Sequence, residues 1–350
     1  MKDTESIIVD VARQQLEFLK AKGVVFIKCD ETSAIKYLVD NTYLFRIKRY
    51  ATNFETKENG CHYDLDFAVI KDLAILDYEF RMMIDYLTAN VEHGIKIRFN
   101  QLLMSLHETD GKTIAAAFDV KREYVYSETA FGDPTSKLKS FPYTDDLVRG
   151  YCLEPEIWNL WELFTLADLS ESYRCYLKSI DYEDNSIKLF NGVRNLRNAA
   201  SHNMPILLDI DRRGYIPPYD YVTSCLKEMF DGDVPMPVPS AVKKSQLVFD
   251  YASLLCSFLI TCNSQPIRIR AGIMVQTMKD RILLHYGDYY AGNAHCRNLR
   301  NMLGAIVKLS EGFADYIETE KDSANRRAGM LHFFPKKRMK KQRIPNLIRS

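Results

Sequence analysis

From Phe67 to Leu106 the chain runs for forty residues without a proline and with one glycine, Gly94. The stretch is rich in Leu, Ile, Met and Tyr. Its spacing predicts one long helix, or two joined near Gly94. Within it Asp77 and Arg81 stand four apart and can pair along one helix face. A chain built around such a segment reads as predominantly α. Twelve Pro and fifteen Gly in 350 residues are also too few for a loop-rich all-β fold.

Other helical patterns flank it. Ile7, Ile8, Val11, Leu16 and Leu19 recur at helical spacing, with Gly23 as the stop. A second helix starts at Glu31, with Thr32 or Ser33 as its cap. Val24–Ile27 is a short β-like run. Residues 128–150, with Gly132, Pro134 and Pro142, read as a loop. Helix is expected again from near Pro155 past Trp158, Trp161, Leu163 and Leu166, then over Ile187–Ser201, 242–262 and 294–319. The run 231–240, with Pro235, Pro237 and Pro239, reads as an extended, exposed linker. The run from Pro266 to Gln276 is expected to hold a short strand. No repeat of 20–50 residues is present.

The most apolar run, Leu247–Cys262, is too short for a membrane span and carries Asp250. The N-terminus lacks the apolar segment of a signal peptide. Eight scattered Cys form no CxxC pair, which argues against a zinc ribbon or redox pair and fits a reduced, cytoplasmic protein. The net charge of +1 hides an asymmetry. Residues 323–350 carry nine Lys or Arg and no acid, so residues 1–322 stand near −8. Lys336, Lys337, Arg338, Lys340, Lys341 and Arg343 crowd this tail. A polyanion partner and a merely solvated terminus both fit it.

No GxSxG, HExxH, GxxxxGK[ST] or strand-borne GxGxxG occurs, and no convincing metal cluster. One stretch stands out, Val193–His202. On a helix Val193, Leu196 and Ala200 fall on one side. Arg194, Arg197, Asn198, Ser201 and His202 gather on the other. Guanidinium donates in a fork to phosphate oxygens, and imidazole moves protons near neutral pH. The set therefore suits a phosphodiester. Other roles fit the same residues: Arg197 as an ion-pair partner, and His202 as a helix C-terminal cap. An Arg with a His five residues on is weak by itself, since Arg327 and His332 repeat it. The five residues Arg-Asn-Leu-Arg-Asn of 194–198 recur at 297–301, where Ala305 stands in the place of the His.

Residues 194–202 resemble the Arg-Asn-x3-His motif of the HEPN ribonuclease superfamily. Three further stretches, in order, resemble the abortive-infection (Abi) family of the AbiD/AbiF type: Leu16–Gly23 with Ala34–Tyr43, Leu76–Arg81 with Asn90–Glu92, and Ile157–Leu166. Two positions depart from the pattern: Ala167-Asp168 replaces a Gly, and Asn203 follows His202 where a second His is usual. The resemblance implies a HEPN-like helical bundle core with N- and C-terminal helical extensions. The expected divisions are an N-terminal helical region at 1–65, the core at 66–215, a Pro-rich linker at 216–240, a C-terminal helical region at 241–322 and the basic tail at 323–350.

It also implies an antiphage effector that cleaves RNA without a metal or other cofactor, through attack of the 2′-OH on the adjacent phosphate. The protein would act as a homodimer with one motif from each subunit. Arg197 would hold the phosphate, His202 would move a proton or orient the phosphate, and Asn198 would orient His202. Arg194 and the tail would contact RNA, with no membrane and no nucleotide cofactor. Two alternatives stay open: a non-catalytic RNA-binding or sensing component of a defence or toxin–antitoxin system, with a small-RNA partner, and a protein-binding regulatory scaffold.

Overall fold

The computed structural model describes residues 4–41, 44–106, 142–143, 146–147, 161–162, 164–208 and 219–322. The protein is predominantly α. Helix α1 (Thr4–Ala21) ends just before Gly23 and leads into β1 (Val24–Val25), α2 (Glu31–Asn41) and α3 (Leu44–Ala51). The cap of α2 is Asp30 rather than Thr32 or Ser33: its carboxylate accepts the Ser33 N–H at 2.9 Å and the Ser33 hydroxyl at 2.8 Å. Strand β2 (Leu65–Asp66) pairs in parallel with β1, Val24 opposite Leu65. Asp66 then caps α4 (Phe67–Ser105), accepting Ala68 N–H at 2.8 Å. Its second oxygen takes the N–H groups of Ile27 and Lys28, which fastens the start of α4 to the chain after β1.

The forty-residue run is thus one continuous helix. Its buried positions include Leu73, Leu76, Phe80, Ile84, Leu87, Val91, Ile95 and Phe99, a 3–4 spacing that keeps one stripe inward over about seven turns. Gly94 marks a crossing and not a break. A Cβ there would stand 2.6 Å from the Thr261 carbonyl oxygen, so only glycine lets the two backbones meet.

After α4 come α5 (Leu166–Ser179), a 3-10 turn (Asn185–Leu189) and α6 (Phe190–Ser201). Trp161 lies in the core, 4.4 Å from the Phe99 ring, with its indole N–H on Asn100. Beside it Arg98 and Asp184 form a buried pair at 2.8 Å, completed by the Tyr173 hydroxyl at 2.7 Å. Burial opposes the Asp184 charge, yet Arg98, Tyr173 and the Ser186 N–H together hold its carboxyl below the usual range.

Two expectations are corrected in the second half. Where it is described, the span 216–240 is not an extended linker. Residues Tyr219–Met229 form α7, and α8 (Val238–Lys244) begins inside the proline run with Val238 wholly buried. Proline in a first helical turn loses no hydrogen bond, because those N–H groups have no partner within the helix. The expected strand after Pro266 is instead α10 (Gln265–His285). Its Ile267, Ile269, Ala271 and Ile273 alternate like a strand, but burial follows Arg268, Ala271, Val275, Met278 and Ile282, a helical spacing. A π-helical turn (Tyr286–Ala291) and a 3-10 turn (Ala294–Cys296) lead to α11 (Arg297–Asp322), which packs along α10.

Between α8 and α10 runs α9 (Gln246–Thr261), buried at every position from Leu247 to Thr261. It touches both α4 and α6, and is the most enclosed helix described. Among the described residues no helix is long and apolar enough to cross a membrane.

Candidate functional site

Helix α6 divides as its sequence pattern requires. Val193, Leu196 and Ala200 are buried. Arg194, Asn198, Ser201 and His202 are exposed, and Arg197 is half-buried. The inward face rests on α9, where Gly192 allows close approach: a Cβ there would meet the Ser253 Cβ at 2.8 Å. Asn195, the second residue of the motif, lies at the edge of this contact and donates to the carboxylate of Asp250 at 3.2 Å. Gln246 donates to the same carboxylate. The acid that breaks the apolar run of α9 is therefore a tether for α6.

The helix ends directly behind the motif. His202 N–H bonds to the Asn198 carbonyl, so the His backbone does cap the helix. Asn203 follows in the left-handed region at φ 55°. Its N–H bonds to Ala200 O at 2.9 Å, and Met204 N–H bonds to Ala199 O at 2.8 Å. This is the Schellman arrangement, in which the residue past the cap must be Gly or Asn-like. Asn at 203, a departure from the family pattern, thus has a backbone reason.

A single carboxylate fixes what comes next. Asp77 of α4, fully buried, accepts the N–H groups of Ile206 at 2.7 Å and Leu207 at 2.6 Å, and the Tyr50 hydroxyl at 2.8 Å. Arg81 closes the ion pair at 3.0 Å. Burial and the Asp77 charge push the Tyr50 phenol far up, so it stays a donor. Arg81 also donates to the Asn203 side chain, and Arg46 of α3 donates to the Asn203 carbonyl. The Asp77–Arg81 pair foreseen from spacing is therefore a clasp. It binds the segment after the motif to a helix more than 120 residues earlier in the chain.

Helices α4 and α6 run antiparallel here. The His202 end lies by Arg81, and Arg197 lies nearer Asp85, one turn further along α4. Burial pushes the Asp85 carboxyl up, while the charges of Arg197 and Arg81 oppose that rise. His202 and Asn203 form the rim of a cleft of about 670 Å³ between α2, α3, α4 and the end of α6. Its walls include Tyr37, Arg46, Ile75, Tyr78 and Arg81. The Arg81 guanidinium carbon sits 5.9 Å from the centre of the Tyr78 ring.

Of the residues singled out from sequence, Arg194, Arg197, Asn198 and His202 share one accessible face. Lys336, Lys337, Arg338, Lys340, Lys341 and Arg343 lie outside the described residues, as do Trp158 and the loop expected at 128–150, except for residues 142–143 and 146–147. Sequence reading missed Arg46, Tyr78, Asp85 and Asn203. Tyr78 lay inside the Leu76–Arg81 stretch, and Asn203 was marked only as a departure. Nothing local distinguishes Arg46 or Asp85 from ordinary helix-surface charges.

These features define a helical protein with an accessible Arg/Asn/His face at the mouth of a cleft. Residues 36–207, just under half of the chain, match the family described as Abi-like protein, so the region from α2 through the clasped segment is similar to that family. No curated protein and no solved structure gives a significant match.

Proposed function

We propose that the protein is an abortive-infection effector that cleaves RNA by the HEPN route, with Arg197 and His202 at the scissile phosphate. The observation that carries the reading is the position of His202. It lines an accessible cleft, while its backbone is pinned by a helix cap, and the next residue is pinned by two guanidiniums. A proton-transfer group works when its surroundings hold it in place before substrate arrives. The Abi-like match independently suggests a role in abortive infection.

In the proposed reaction the ribose 2′-oxygen attacks the adjacent phosphorus. Its proton passes to a base, and the 5′-oxygen leaves with a proton from an acid. The products end in a 2′,3′-cyclic phosphate and a 5′-hydroxyl. His202 serves one or both transfers, Asn198 orients it from one turn back, and Arg197 neutralises charge on the phosphate oxygens. Arg197 sits near the C-terminal end of α6, where the negative end of the helix dipole favours a cation. A second copy of the chain would bring the partner motif, and Arg194 and the basic tail would hold RNA.

The test is incubation of purified protein with cellular RNA in EDTA, beside His202→Ala, with mapping of fragment ends. Cleavage to cyclic-phosphate ends that the variant lacks is expected. Equal fragmentation by both proteins would sink the reading.

A further inference from the structure

Resting on that reading, we infer that the cleft beside His202 is a base-binding subsite. It takes one unstacked nucleobase of a single-stranded RNA whose neighbouring phosphate lies against His202. At about 670 Å³ the cleft is within the size range of small-ligand sites, roughly 300–1,000 Å³. Three tyrosines from different helices line it: Tyr37 of α2, Tyr78 of α4 and, buried at its back, Tyr50 of α3. The Tyr78 side of the wall faces water: Tyr78 is 56% exposed and Ile75, one turn before it, 37%. A buried structural tyrosine would not be left so open. A ring face held beside a guanidinium is the surface on which a flat base stacks.

Charge points to the same occupant. Arg46 and Arg81 stand together at the His202 end, with Asp77 balancing Arg81 from behind the wall, and among the described residues that line the cleft there is no acid. An anionic strand is favoured there and a cationic ligand is not. The chain geometry also fits. His202 and Asn203, at the end of α6, are among the lining residues, so a nucleotide whose base enters between α2 and α4 has its phosphate within reach of them. Recognition of single-stranded RNA works this way, with the base splayed out of its stack onto aromatic side chains. The subsite would hold the strand so that cleavage falls beside a captured base.

The experiment uses the full chain and a fluorescent single strand of about twelve nucleotides, within the span such proteins cover. All its riboses are 2′-O-methylated, so it cannot be cut. Affinity is read by anisotropy at fixed salt for the wild type, Tyr78→Ala and Tyr78→Phe. Tyr78 is largely exposed, so neither change opens the core. Tyr78→Ala is expected to weaken binding about ten-fold and Tyr78→Phe less than about two-fold, because the ring does the stacking. The four nucleoside 5′-monophosphates, added as competitors, should displace the strand only at far higher concentration.

Equal affinity in all three proteins would overturn the subsite. So would no binding by the wild type, or a loss in Tyr78→Phe as large as in Tyr78→Ala. Monophosphates that bind as tightly as the strand would overturn the choice of an RNA strand as occupant. Ring-dependent binding without cleavage by any protein would sink the nuclease and spare the subsite. His202-dependent cleavage with ring-independent binding would do the reverse.

Discussion

The same five residues, Arg-Asn-Leu-Arg-Asn, lie within one helix and open another. At 194–198 they lie in the middle of α6, three residues before its end. At 297–301 they form the first turn and a half of α11. In both places the leucine is buried, Leu196 and Leu299, so each copy is anchored alike. The second arginines differ. Arg197 lies near a helix C-terminus and faces Asp85 across to α4. Arg300, near an N-terminus whose dipole disfavours a cation, turns back to the carbonyls of Ala291 at 3.0 Å and Asn293 at 3.4 Å. Five residues on, the contrast is complete: His202 is exposed at a cleft, and Ala305 is wholly buried. The pentapeptide thus specifies a helical face and not a role. Its place along the helix decides whether its charges meet solvent or the protein's own backbone.

The comparison can be pressed hardest through activity. His202→Ala and Arg197→Ala should each lower RNA cleavage by about 10²–10⁴-fold, the usual weight of a positioned proton-transfer or charge-stabilising group. Arg300→Ala should leave the rate within about two-fold; an equal loss in an initial-rate assay would erase the distinction. Next comes the support behind the first copy. Asp77→Ala strands the buried Arg81 and unties residues 206–207, so urea unfolding should show a loss of about 3–5 kcal/mol. A third test tries to convert the second copy into the first. Ala305→His should confer no cleavage on a His202→Ala background. It should instead destabilise by about 1–3 kcal/mol through overpacking, seen as a lower Tm. The smallest effect is expected at the helix end. Asn203→Ala leaves a β-carbon in the left-handed region without the polar side chain that tolerates it and accepts from Arg81, at about 1 kcal/mol, and calorimetry would show a modest fall in Tm.

Much of this was legible beforehand because helical burial repeats every three to four residues. The long helix α4, the inward Val193, Leu196 and Ala200, and the Asp77–Arg81 spacing all follow from that rule. The rule failed where two patterns competed. Ile267, Ile269, Ala271 and Ile273 alternate locally, yet the neighbours chosen by the fold bury Arg268 and Val275. Pro237 and Pro239 looked like a linker, but they stand at the start of a helix, where proline does no harm. The site was half visible. The Arg/His face is continuous in sequence and could be read. The cleft is assembled from four helices whose residues lie up to some 160 positions apart, and no local pattern encodes their meeting. Asn203 could be seen as unusual, but its reason is a backbone angle.

The inner face of α6 has a consequence for portability. The Abi-like match stops at residue 207, while the surface on which Val193, Leu196 and Gly192 rest is contributed by Gln246–Thr261, past that border. A piece excised at the border would carry the Arg/His face, keep α4 beside it and lose the part of its apolar floor that α9 supplies. Whoever grafts this cassette into another chain, whether evolution or an engineer, has to supply a new floor of small side chains, with an acceptor ready for Asn195.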